Sequence, residues 1–113
     1  MKVELEEYID SRDRNHYRKW LSDLDPSVRA RVIKCVLRME KGNFSDVKPE
    51  GEGVSALRLD FGPGYRVYFG KVGELLVILL AGGTKKRQSE DIKFARSLWA
   101  EYKAWKRQKQ KEN

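Results

Sequence analysis

The stretch LRLDFGPGYRVYF, residues 57–69, holds two runs of alternating side chains on either side of a Gly-Pro-Gly turn. Alternation with a period of two predicts half-buried strands, and the turn between them predicts an antiparallel hairpin. The strands are predicted at 54–61 and 65–71. A third strand, 74–81, follows a turn at Val72-Gly73 and is apolar on both faces. It should therefore lie inside the sheet of a three-stranded antiparallel meander.

The chain before this meander predicts one strand and two helices. Residues 2–9 alternate like a half-exposed strand, and Ser11 is the predicted cap of a first helix. Asp25 followed by Pro26 predicts the start of a second helix, which should reach about residue 41 and end at Gly42. Because almost nothing separates the two helices, they are predicted to form an antiparallel hairpin.

The rest of the chain predicts a loop and a last helix. Residues 43–53 are polar without periodicity and predict a loop, and Ser89 is the predicted cap of the last helix. Trp99 and Tyr102 belong to the apolar stripe of that helix, whereas residues 106–113 have no apolar residue and are expected to fray. A length of 113 residues without a linker predicts a single α+β domain.

Composition indicates an anionic partner. The net charge is +7, from 24 basic and 17 acidic residues, and the excess is concentrated after residue 82. One cysteine and one histidine argue against a zinc site and exclude an intramolecular disulfide. The N-terminus has no apolar run of the signal-peptide kind, and no apolar stretch is long enough for a bilayer, so a cytoplasmic protein is expected.

Polar side chains gather on one face of the predicted hairpin. If Phe61 lies opposite Tyr65, that face carries Arg58, Asp60, Arg66 and Tyr68. One interpretation is a solvated cross-strand charge network, in which each pair contributes roughly 0.2–1 kcal/mol. The other is an anion site, in which Asp60 orients an arginine and the two arginines converge with a basic group of residues 85–87 on a phosphodiester. No general base is obvious, and Tyr68 or Lys85 could move protons only if cationic neighbours lowered their pKa values.

Several motifs resemble those of the RelE/ParE superfamily of bacterial toxins, and especially its HigB-like branch of addiction-module killer proteins. They are LRLD (57–60), GYRVYF (64–69) and LAGGTK (80–85), followed by Gln88, Asp91 and Ile92. The resemblance covers nearly the whole chain. It implies a RelE-like order β-α-α-β-β-β-α, in which an antiparallel sheet packs against a helical hairpin and a C-terminal helix.

The resemblance also implies a function. Such toxins enter the ribosomal A site and cleave mRNA through attack of the ribose 2′-hydroxyl on the neighbouring phosphate, without metal or cofactor. Their partners are the ribosome, mRNA and a cognate antitoxin, here expected to be a helix-turn-helix protein from an adjacent gene. By motif, Arg66 and Arg58 would bind and stabilise the scissile phosphate, Lys85 and Arg87 would help to neutralise it, and Tyr68 would shape the site or supply a proton. The expected contacts to RNA are Arg29, Arg31, Lys34, Arg38, Lys86, Lys93 and Lys103.

The chain departs from the family at two places. The tyrosine that RelE carries after the basic loop and the catalytic histidine of some HigB toxins have no counterpart here. The group that moves the proton is therefore not identified by the resemblance. Two alternatives stay open: a gyrase poison of the ParE-like branch, and a non-catalytic RNA-binding module.

Overall fold

Five strands and three α-helices build the part of the chain, residues 2–112, that the computed structural model describes. The strands are β1 (Glu4–Glu7), β2 (Val47–Pro49), β3 (Val54–Leu59), β4 (Tyr65–Val72) and β5 (Leu76–Thr84). The helices are α1 (His16–Ser22), α2 (Pro26–Leu37) and α3 (Gln88–Glu112), with 3-10 turns at Arg38–Lys41 and Lys85–Arg87. None of these helices is both long and apolar enough to cross a membrane.

The strands form one mixed sheet in the order β1-β5-β4-β3-β2. The predicted meander is confirmed, because β3, β4 and β5 pair antiparallel in sequence. The predicted interior position of β5 is also confirmed, since β1 lies on its other side and pairs with it in parallel. Helix α3 packs on one face of the sheet, and α1 and α2 contribute to the core on the other. The fold is therefore α+β, with helices on both faces.

Two separate cores follow from this arrangement. Tyr17, Leu21, Val32 and Val36 bury the inner sides of α1 and α2 against β3, β4 and β5. Ala95, Leu98, Trp99 and Tyr102 bury the inner side of α3 against the opposite face of the same strands. The predicted packing role of Trp99 and Tyr102 is confirmed, and their rings stack 5.1 Å apart. Trp105, one helical turn further on, is 52% exposed.

The structure corrects the predicted loop at 43–53. Within it, β2 pairs antiparallel with β3 at the edge of the sheet, with Val47 opposite Leu57. Three residues that include a proline show no alternating pattern, and an edge is where a strand tolerates proline. The strand was therefore missed because its stabilisation comes from pairing, not from its own sequence.

The predicted caps of the first and last helices were wrong. Helix α1 begins at His16, and Asn15 caps it by accepting a hydrogen bond from the backbone N–H of Arg18 at 2.9 Å. Ser11 instead lies in a turn that the carboxylate of Asp10 stabilises by accepting from the backbone N–H groups of Arg12 and Arg14, each at 2.9 Å. Because Asp10 accepts the hydrogen bonds of these backbone N–H groups in a turn, the helix begins only at His16.

The second and third helices also differ at their ends. Asp25 precedes α2 without a side-chain cap bond, whereas Pro26 does occupy the first turn as predicted. Gly42 ends the helical segment in the left-handed conformation, with φ of 82°. Helix α3 begins at Gln88, directly after the 3-10 turn, so Ser89 is not its cap. Residues 106–112 continue α3, where Lys, Arg, Gln and Glu have high helix propensity, and Asn113 lies outside the described residues; the fraying expected for 106–113 stays a prediction.

Candidate nucleic-acid interface

The centre of the site is a pair of arginines on neighbouring strands. Arg58 of β3 lies directly opposite Arg66 of β4. The predicted register was wrong by two residues, but a shift of two keeps every side chain on its predicted face. Arg58 is exposed, whereas Arg66 is only 7% exposed. Like charges directly opposite each other in a sheet are destabilising, so this pairing lowers the stability of the fold.

Arg66 has little internal compensation for its charge. Its Nη1 donates a hydrogen bond to the backbone carbonyl of Tyr65 at 3.1 Å. Among residues 2–112, no carboxylate forms an ion pair with Arg66 or Arg58. Asp60 lies beyond the end of β3, so the prediction that it faces Arg66 was wrong. A buried guanidinium without a carboxylate is suited to an external anion.

Gly64 lies between Arg66 and Lys85 of the basic 3-10 turn. Its carbonyl accepts a 2.8 Å hydrogen bond from the backbone N–H of Lys85, which joins the β3–β4 turn to the 3-10 turn. A methyl group on Gly64 would lie 3.2 Å from Cβ of Lys85 and 3.5 Å from Nη1 of Arg66. Gly64 also has φ of 77°, a conformation that favours glycine. Lys85 and Arg66 therefore flank the same glycine, as the phosphate-site hypothesis requires.

The rest of the basic turn is exposed. Arg87 donates a 2.7 Å hydrogen bond to the carboxylate of Glu90, one turn further along the chain. Lys86 is exposed between Lys85 and Arg87. A surface ion pair of this kind contributes about 0–1 kcal/mol, so a phosphate can compete with Glu90 for Arg87.

Tyr68 does not lie on a solvated face. The face that was expected to be polar is covered by α3, and the Tyr68 side chain is fully buried there. Its hydroxyl has no hydrogen-bond partner within residues 2–112. Burial raises the pKa of Tyr68 to about 12; Asp91 adds to this rise and Arg66 opposes it. Proton transfer by Tyr68 would need a lowered pKa, and its environment raises the pKa instead.

A basic cleft extends from Arg58 towards α2. It has a volume of about 440 Å³ and is lined by Arg31, Lys34, Arg38 and Arg58, with Asp46 and Asp60 as its acidic members. The guanidinium of Arg31 lies over the ring of Phe61, 3.9 Å from its centroid. Three of the predicted RNA contacts thus share one cleft with an arginine of the central pair.

The remaining predicted contacts lie elsewhere. The guanidinium of Arg29 donates to the carbonyls of Leu21, Ser22 and Leu24 at 3.0–3.2 Å, and so ends α1 instead of facing solvent. Lys93 and Lys103 are exposed on α3. The structure therefore brings together the arginine pair, the basic turn and the α2 cleft, and separates Arg29 from them.

Asp91 is a neighbour of the site that the sequence did not single out for chemistry. It lies in the first turn of α3, half-buried against the sheet. A methyl group on Gly83 of β5 would lie 2.0 Å from its Oδ2, so the carboxylate occupies the space above this glycine. Burial raises the pKa of Asp91 above its usual range, Arg87 opposes the rise, and Glu90 adds to it. Glycine inside a strand is the sequence signal of such a close approach.

Comparison with known proteins identifies a relative. The chain is 44% identical over 80 residues to an uncharacterized protein of Haemophilus influenzae, which covers 70% of this chain and 81% of the relative. No protein-family model matches the sequence. No solved structure matches it either. At this identity and coverage, the chain belongs to the same family as the Haemophilus influenzae protein.

Proposed function

We propose that this protein is the toxin of a type II toxin–antitoxin system, a HigB-like member of the RelE/ParE superfamily that cleaves mRNA on the ribosome. One observation carries the proposal: Arg58 and Arg66 lie opposite each other, Arg66 is buried, and neither pairs with a carboxylate of residues 2–112. A phosphodiester supplies the missing negative charge. The planar guanidinium suits it because it can bind two phosphate oxygens at once.

The order of elements supports the proposal. Apart from the short edge strand β2, the chain runs β-α-α-β-β-β-α, the order that the resemblance implies. The motif GYRVYF lies at the start of β4, and LAGGTK runs from β5 into the basic 3-10 turn. Both motifs therefore lie at the arginine pair, and not in unrelated parts of the fold.

In the proposed reaction, the ribose 2′-hydroxyl attacks the adjacent phosphate. Arg66 and Arg58 bind its non-bridging oxygens and stabilise the charge that grows on them in the transition state. Lys85 adds positive charge from the other side of Gly64. Arg87 leaves its ion pair with Glu90 and binds the phosphate instead. One preorganised charge-stabilising donor in a catalytic site typically contributes about 10²–10³ in rate. Tyr68 shapes the site from the same face of β4 as Arg66, beneath α3, and no metal is required.

The basic surfaces around the site have a matching role. The α2 cleft and the exposed lysines of α3 contact ribosomal RNA through its phosphates, which provides affinity without reading sequence. A cognate antitoxin, a helix-turn-helix protein from an adjacent gene, holds the toxin inactive. The protein acts in the cytoplasm, where its ribosomal target lies.

The test is induction of wild type and Arg66→Ala in bacterial cells, with primer extension on translated mRNA. Wild type should arrest growth and produce cleavage ends within coding regions, and Arg66→Ala should produce neither. Arg12→Ala is the matched control, because Arg12 is an exposed arginine of the turn before α1 and should leave both effects intact.

Three other outcomes contradict the proposal. Growth arrest with intact mRNA and accumulating DNA breaks would favour the gyrase-poison alternative. Binding of the purified protein to ribosomes without any cleavage would favour a non-catalytic RNA-binding module. Normal growth with intact mRNA would leave the toxin assignment without support.

A further inference from the structure

We infer that Asp91 is the proton acceptor of this site, and that its carboxylate takes the proton of the attacking 2′-hydroxyl. The inference rests on the proposed function, because it needs an RNA phosphodiester held by Arg58 and Arg66. Asp91 is among the residues that carry the family resemblance, but the resemblance assigns it no part in proton transfer.

Register places Asp91 beside the arginine pair. Arg66 of β4 lies directly opposite Gly83 of β5, and residues opposite each other in a sheet point to the same face. The Asp91 carboxylate fills the space where Gly83 lacks a side chain. It therefore lies over the sheet position next to Arg66, whose guanidinium would hold the phosphate.

Asp91 has no structural bond that would explain this position. Within residues 2–112 its carboxylate accepts no side-chain or capping hydrogen bond and forms no ion pair. Glu90, its neighbour in the same first turn, is exposed and pairs with Arg87, so the turn already contains an acid that suits the helix dipole. The lone pairs of Asp91 are free to accept a proton.

The charges around Asp91 come from three elements. Tyr68 faces it from β4, Arg87 from the 3-10 turn, and Glu90 from α3 itself. The guanidinium of Arg66 is not among the charges that act on Asp91, although its strand position is opposite Gly83. Burial outweighs Arg87 and raises the pKa of Asp91. A raised pKa makes a carboxylate a stronger base, and acid–base catalysis is most effective when the pKa lies near the working pH.

The chemical step balances without a cofactor. The 2′-oxygen passes its proton to the Asp91 carboxylate and forms a bond to phosphorus, while the bond from phosphorus to the 5′-oxygen breaks. The leaving 5′-oxygen takes a proton from water, and Asp91 then returns its proton to solvent. The products are a 2′,3′-cyclic phosphate and a 5′-hydroxyl.

The experiment is single-turnover cleavage of mRNA on purified programmed ribosomes, with Asp91→Asn compared with wild type from pH 5 to 9. The amide keeps the shape of the side chain and cannot accept the proton. Cleavage should slow by about 10²–10⁴-fold, the usual contribution of a general base, while binding to the ribosome complex stays unchanged. The wild-type rate should rise with pH through the pKa of Asp91 and then level off. The rate of Asp91→Asn should not show this rise.

Two further variants make the result specific. Asp91→Glu keeps a carboxylate and should recover part of the rate that Asp91→Asn loses, which a merely structural role would not predict. Asp23→Asn changes an exposed carboxylate at the end of α1 and should match wild type at every pH.

The outcomes separate the inference from the proposed function. If wild type cleaves and Asp91→Asn cleaves at the same rate with the same pH profile, the inference is wrong and the nuclease assignment stands. If wild type itself does not cleave, the proposed function is wrong and the inference falls with it. If Asp91→Glu is as slow as a correctly folded Asp91→Asn, Asp91 acts through packing and not as the base.

Discussion

Arg58 and Arg66 face each other across β3 and β4, and no carboxylate of residues 2–112 pairs with either of them. Two cations in these positions repel each other, so the folded state is less stable when no anion is bound to them. An anion that binds the pair should therefore stabilise the fold, and this effect can be measured without any assay of function.

The first prediction concerns this repulsion. Arg58→Gln should raise the free energy of unfolding by about 0.2–0.5 kcal/mol in low-salt buffer, because it removes the charge opposite Arg66. Inorganic phosphate should raise the melting temperature of wild type more than that of the variant, since phosphate binds the pair. Thermal unfolding with and without phosphate measures both effects, and Arg12→Gln is the control. An equal response of all three proteins to phosphate would contradict an anion site at Arg58.

The second prediction concerns the buried hydroxyl of Tyr68. Tyr68→Phe should raise the free energy of unfolding by about 1 kcal/mol, because it removes a buried polar group that has no partner. It should also leave mRNA cleavage unchanged, since burial raises the pKa of Tyr68 to about 12 and away from the working range.

Tyr8→Phe is the matched control for Tyr68→Phe. The hydroxyl of Tyr8 donates a 2.7 Å hydrogen bond to the carboxylate of Glu101, so its removal should lower the free energy of unfolding. Urea unfolding of the two variants should give shifts of opposite sign. A destabilised Tyr68→Phe would mean that the hydroxyl has a partner.

The third prediction concerns two glycines that contact tryptophans on opposite faces of the sheet. A methyl group on Gly70 would lie 2.5 Å from the Trp99 ring, and one on Gly82 would lie 2.1 Å from the Trp20 ring. Alanine at either position should therefore lower the free energy of unfolding by about 1–3 kcal/mol through overpacking.

Tryptophan fluorescence and urea unfolding check this third prediction. Gly70→Ala should disturb the environment of Trp99, and Gly82→Ala that of Trp20. Gly73→Asn is the control, because a side chain there meets nothing within 4 Å and asparagine tolerates its positive φ of 62°. Unchanged stability of Gly70→Ala would mean that Trp99 can move away from the sheet at little cost.

The fourth prediction concerns stability in acid. Hydrogen bonds from the Arg14 backbone and the His16 ring lower the pKa of Asp10 from 3.8 to about 2. A pKa that is lower in the folded state gives stability that is fully present above the unfolded value and is lost as pH falls through the folded value. The contribution of Asp10 should therefore disappear between about pH 4 and pH 2.

Asp10→Asn tests this dependence. At pH 7 the variant should unfold at lower urea concentration than wild type, and the difference should shrink as pH falls towards 2. Asp13→Asn, an exposed neighbour, should track wild type throughout. A difference between Asp10→Asn and wild type that does not change with pH would show that the charge of Asp10 does not act through these bonds.

Local patterns predicted the central strands well, and long-range pairing explains what they missed. Alternation around the Gly-Pro-Gly turn predicted which side chains share a face. A shift of the pairing by two residues leaves every face unchanged, so alternation could not predict that Arg58 lies opposite Arg66. Strand β2 has no pattern of its own and exists through its contact with β3. The two apolar faces of β5 indicated an interior strand, but nothing in residues 2–9 indicated that β1 would be its partner.

The site was predictable to a similar degree. The motifs gave Arg66, Arg58 and Lys85, which the fold brings close together around Gly64 or across one strand pair. Asp60 does not face Arg66, because that expectation depended on the register. Asp91 resembled an ordinary first-turn acid until the space above Gly83 showed where its carboxylate lies.

The parallel pairing of β1 with β5 affects the order in which the sheet can form. Glu4 of β1 pairs with Leu76 of β5, 72 residues further along the chain, and the core beneath α3 needs Tyr102. Contacts so distant in sequence form late and slow the folding of a chain. The local β3–β4 hairpin, which holds Arg58 and Arg66, should therefore form before β1 joins the sheet.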